Sequence, residues 1–109
     1  MRFNKRNWDK FFDGSNKKTT LRLKKSKIGH HKAYAGSYFK PITLGEFDII
    51  KISEKKYKEL TEEDAKLDGF NSLYDLKNEL ITLNGSIDHE TIFYQHWIEN
   101  VENHITIVG

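Results

Sequence analysis

Along residues 19–24 the chain alternates with a period of two. Leu21 and Leu23 fall on one side, and Thr20, Arg22 and Lys24 on the other, which predicts a strand with one wet face. Residues 31–38 predict a second strand, in which Gly36 marks a bulge or the close approach of another backbone. The run 47–52 reads as a third, largely buried strand, and the β-branched and aromatic run 91–98 as a closing one. Residues 105–108 suggest a last short strand or a loose tail. Elsewhere the period changes to that of a helix. Trp8, Phe11 and Phe12 fall at i, i+3 and i+4, a short turn packing inward before Gly14. Thr61-Glu62-Glu63-Asp64 is a capping box that opens one helix, and Gly69 stops it. Ser72 restarts the chain as a second helix with a stripe of Leu73, Leu76, Leu80 and Leu83, ended by Gly85. The sole proline, Pro41, is placed in a loop. This order predicts an α+β domain: about five to six strands in a small twisted barrel, with two helices inserted before the closing strand.

The 109 residues suffice for one core, so a single domain over 1–109 is expected. No apolar run is long enough to span a bilayer, and the basic residues at 1–6 are not followed by the apolar segment of a secretory signal. With no cysteine there is no disulfide or thiolate chemistry, which fits a cytoplasmic protein.

Charge changes the picture more. Residues 1–40 carry twelve Lys/Arg and only Asp9 and Asp13 in opposition, while residues 41–109 carry six against fourteen Asp/Glu. A basic half of this kind suits a polyanion, whose phosphates release counterions when neutralised. Two alternatives stand beside it: the halves complement each other in the fold, or they drive self-association.

Chemically useful groups are densest in 13–24 and 64–73. Thr20 and Arg22 share a strand face, and Lys17 joins them only if the strand starts after it or the Gly14-Ser15-Asn16 turn bulges the chain. A solvated, lysine-protected strand edge is the other reading of these residues. Asp68 is a carboxylate at a helix C-terminus, where a cation such as Lys17 or Arg22 would be welcome. The five histidines show no metal-ligand spacing, and no P-loop, dinucleotide fingerprint or nucleophile elbow is present. Neither metal nor cofactor is therefore expected.

Lys17-x-x-Thr20-x-Arg22 after a glycine turn, then Asp64-Ala65-x-x-Asp68-Gly69-Phe70, resembles the ASCH domain family of PUA-like barrels. Leu44-Gly45 and Ser72-Leu73 extend the resemblance, which covers about residues 8–98 and leaves 99–109 as a C-terminal extension. It implies a small barrel with a cleft for RNA or a modified nucleoside. Some members are similar to amidohydrolases that deacylate N4-acetylcytidine, and others to ribonucleases. Carried over, Lys17 would be a general base, Thr20 the nucleophile and Asp68 the group that orients the lysine. A threonine hydroxyl needs such a base, and a lysine serves as one only when its pKa is lowered by burial or by cations such as Lys18 and Arg22. Arg22 could instead hold a phosphate or an oxyanion. The chain departs from hydrolase-type members in carrying Asp68 where they have Glu, and in a Gly-to-Lys spacing longer by one residue. For RNA or a nucleoside, the expected binding set is Lys18, Arg22, Lys24, Lys32, Tyr34, Ser37, Tyr38 and Lys40. Core packing is the competing role for Tyr34, Tyr38 and Trp97. The oligomeric state is not legible.

Overall fold

A computed structural model of the protein describes residues 1–104. The elements run α1 (Lys5–Asp9), β1 (Thr19–Arg22), β2 (Gly29–Gly36), β3 (Pro41–Lys56), a 3-10 turn (Tyr57–Glu59), α2 (Glu62–Leu67), α3 (Leu73–Asn84) and β4 (Ile92–Asn103). The strands form one antiparallel sheet in the order β1-β4-β3-β2. The α+β class and the two helices before the closing strand follow the sequence expectation.

The barrel expected from sequence is not closed, and the described residues give four strands where five or six were expected. β1 has only four residues and pairs with β4 alone. Beyond β2, at the opposite edge, Arg2 makes a parallel bridge with Tyr34, and the Phe3 N–H donates to the Tyr34 carbonyl at 2.8 Å. These two borders approach without pairing. Across the seam, the Arg22 guanidinium lies 4.5 Å from the centre of the Phe3 ring. Strand lengths also differ from expectation. β1 stops before Leu23, β3 starts at Pro41, and β4 runs on into the C-terminal extension expected from sequence. Pro41 is tolerated because it is the first residue of its strand. The bulge in this pair lies on β3, where Leu44 is passed over between the pairs Ala33–Gly45 and Tyr34–Thr43, and not at Gly36. Gly36 marks a close approach instead: a Cβ there would lie 2.8 Å from the Lys40 carbonyl oxygen. Residues 105–108 lie outside the described residues.

Two apolar clusters flank the sheet. One gathers Phe3, Trp8, Phe47, Ile49 and Ile98; the other gathers Leu21, Tyr57, Leu60, Ala65, Leu76, Leu80 and Phe93 under the two longer-range helices. Phe12, at the end of the aromatic triplet, is left largely exposed. Helix ends obey local chemistry. Thr61 caps α2 reciprocally with Asp64, Ser72 caps α3, and Gly69 and Gly85 take positive φ beyond the helix ends. Of the leucine stripe, Leu76 and Leu80 are core, whereas Leu83 is exposed.

Candidate functional site

The strand carrying Thr20 begins at Thr19, and Asn16 takes a left-handed φ of 56°. Lys17 is thereby released from the strand alternation and turns inward. Its Nζ donates to the Asp68 carboxylate and, at 3.1 Å, to the Asp68 carbonyl. Asp68 holds the C-cap position of α2, so the lysine also meets the negative end of that helix. Thr20 and Arg22 share a face of β1, and the Arg22 Nε–H donates to Thr20 Oγ1 at 3.1 Å.

These four side chains line one cavity of about 400 Å³ in the unclosed seam. Arg2, Phe3, Asn4 and Asn7 form the wall beyond β2, and Leu76, Glu79, Leu80 and Leu83 form the α3 wall. Glu79 is paired with Arg6 through both carboxylate oxygens at 2.8 Å. Lys10 stands just behind, its amine donating to the Gly69 carbonyl at 3.1 Å and lying 3.4 Å from the Phe70 ring centre.

Burial governs the charges here. It holds the Lys17 amine below the ordinary lysine range despite the pull of Asp68, with Arg22 and Lys10 adding to the depression. Burial also raises the Asp68 carboxyl, against the attraction of Lys17 and Arg22. Desolvation brings Arg22 down to about 10. Behind Thr20, the fully buried His96 ring accepts the Ser26 N–H on Nε2 at 3.0 Å. That places its proton on Nδ1, 3.4 Å from the Thr20 carbonyl.

The other expected binding residues do not line this cavity. The Lys18 side chain is exposed while its backbone joins Leu67 and Ile98. Lys24 follows β1 in the open, and Lys32 stands exposed on β2. Tyr34 is half-buried beside Met1 and Phe3. Ser37, Tyr38 and Lys40 cluster at the exposed tip between β2 and β3. One link joins that tip to the cavity: Arg2 lines the cavity, donates to the Gly36 carbonyl and lies 5.7 Å from the Tyr38 ring centre.

Sequence reasoning missed Arg2, Phe3, Asn7 and Glu79, since their placement depends on pairings distant in the chain. Trp97 is half-buried with Lys51 over its ring. Two of the histidines, His30 and His104, meet carboxylates. His30 contacts Asp48 and Glu46 at 2.8 and 2.6 Å, and ligand-type atoms of Glu46, Glu102 and His104 lie within 4.8 Å of one another.

No family model matches the sequence, and no curated protein does. Among solved structures, an ASCH domain from Lactobacillus crispatus superposes with a TM-score of 0.56 at 17% identity. The match covers 83% of this chain and 67% of that one. The chain has an ASCH-like fold. A protein of Enterococcus faecalis assigned to the family DUF984 superposes with a TM-score of 0.59 at 14% identity, over 92% of this chain and 68% of that one. At these identities the likeness is one of fold. No helix among the described residues is long and apolar enough to cross a membrane.

Proposed function

We propose that the seam cavity of this ASCH-like protein binds a nucleoside, borne by RNA or free and modified. The observation that carries this reading is the convergence of Lys17, Thr20, Arg22 and Asp68 on one cavity, the first of them buried and cationic by origin. Its volume suits a small organic ligand. Hydrogen-bonding groups on the β1 side can read a base edge, and the Phe3 and Phe70 rings add apolar surface for its face. Outside, Tyr38 and Phe39 are 83% and 92% exposed, with Lys40 beside them. Such a tip stacks and neutralises flanking nucleotides, and Arg2 connects it to the cavity. The setting we propose is cytoplasmic.

Affinity for a short single-stranded RNA containing N4-acetylcytidine is expected to fall steeply with salt. Arg22→Ala is expected to weaken it about tenfold or more, with Thr20→Ala nearly neutral. Fluorescence anisotropy across a salt series tests both statements; binding that ignores salt and Arg22 would overturn the reading.

Hydrolysis is the second reading, favoured by the depressed pKa of Lys17. The Lys17 amine would take the Thr20 proton as Oγ1 attacks the acyl carbon of N4-acetylcytidine. Cytidine would leave with that proton, and water would then release acetate from Thr20. Binding comes first because the Thr20 hydroxyl is engaged by Arg22 and the Lys17 amine by Asp68. Mass-spectrometric detection of cytidine from wild type beside Thr20→Ala separates the two: turnover lost in the variant establishes the enzyme.

A further inference from the structure

The cavity has a second character that its polar groups do not use. Leu21, Leu23, Leu76, Leu80 and Leu83 all line it. Leu76 and Leu80 are core residues that reach its wall, but Leu23 and Leu83 are 44% and 53% exposed. α3 puts two polar residues in the lining: Glu79, both of whose oxygens Arg6 already holds, and Asn84, whose side-chain amide donates to the Leu80 carbonyl at 2.9 Å. The α3 wall therefore offers a ligand mainly methyl groups, opposite a β1 edge that offers a hydroxyl and a guanidinium. A ligand complementary to both walls is polar at one end and aliphatic at the other.

We infer that the cavity takes a nucleoside whose base carries an aliphatic substituent longer than acetyl, with the chain lying along the leucines. The inference rests on the nucleoside reading above and narrows it. An unsubstituted base would leave Leu23 and Leu83 in water. Each methylene buried against them is expected to tighten binding by about fourfold.

The test is calorimetric titration of the full chain with cytidine, with its N4-methyl, N4-butyl and N4-hexyl derivatives, none of which has an amide to hydrolyse, and with hexanol. Hexyl, with five more methylenes, is expected to bind at least about thirtyfold tighter than methyl even if only half of them are buried, and cytidine is expected to displace it. In Leu23→Ser/Leu83→Ser, both exposed positions, the gain with chain length is expected to flatten, the hexyl-to-methyl affinity ratio falling toward one. The wild-type series stands by itself if that variant fails to fold. If cytidine and N4-methylcytidine bind but the series is flat, the inference falls and the nucleoside reading stands. If hexanol matches hexylcytidine and cytidine does not compete, the nucleoside reading falls and takes the inference with it. Absence of any binding overturns the inference and the free-nucleoside form of the reading.

Discussion

Lys17 and Asp68 lie 51 residues apart in sequence and meet as a buried pair, their side chains 2% and 6% exposed. Neither can be removed alone without leaving its partner in a dry site. Lys17→Met is expected to cost about 3–5 kcal/mol, and Lys17→Met/Asp68→Leu to recover much of that loss. Urea unfolding of the three proteins checks it. A double variant no more stable than the single one would mean that the partner is not stranded.

Gly45 faces a different constraint. A Cβ at this position would sit 1.9 Å from the Glu102 carbonyl oxygen and 2.7 Å from the Trp8 ring. The first obstacle is backbone of the paired strand β4, which cannot rotate aside. Gly45→Ala is expected to cost at least about 3 kcal/mol, read as a shifted denaturation midpoint.

His30 and His96 should titrate in opposite directions from the ordinary value of 6.5. Hydrogen bonds to Asp48 and Glu46 raise His30, so its contribution to stability is full below 6.5 and is lost as pH rises through its folded pKa. Burial lowers His96, with Arg22 and His31 adding to the depression. Its neutral ring is favoured by the fold, so stability falls as pH drops below 6.5 toward the folded pKa. Imidazole NMR resolves the two titrations, and a His96 pKa above 6.5 would contradict the clamp between Ser26 and Thr20.

Asp64 ties α2 to the sheet. It receives Lys55 Nζ at 2.7 Å and Gln95 Nε2 at 3.2 Å on one oxygen, and the Thr61 N–H at 2.9 Å on the other. Thr61→Ala is expected to cost about 1 kcal/mol and Asp64→Ala about 3 kcal/mol. Because the two share a contact, the double variant should cost less than the sum. Thermal melts of the three variants measure the coupling.

What the sequence made legible was mostly local. Thr61, Ser72, Gly69 and Gly85 punctuate the helices because caps are decided within a few residues. Thr20 and Arg22 share a face by strand geometry alone. Lys17 was ambiguous, since its direction hung on whether Asn16 would adopt a left-handed turn. Leu83 fits the helical stripe, yet periodicity cannot say that its neighbour is a cavity. Arg2 and Phe3 carried no signal, because their place depends on pairing with Tyr34 some thirty residues on. The seam itself is a property of two edges that never pair, and no local pattern encodes that.

That seam sets how the cavity can respond to its contents. A closed barrel widens only by breaking rungs of its ladder. Here, among the described residues, no backbone hydrogen bond joins β1 to residues 1–3, and Arg22 over Phe3 is the ring contact that spans them. Swapping that contact for one with a guest leaves every rung intact. The molecule thus has a clasp where a closed barrel would need a hinge, and a bulkier guest can be admitted for about the worth of one cation–π contact, roughly 1–2 kcal/mol.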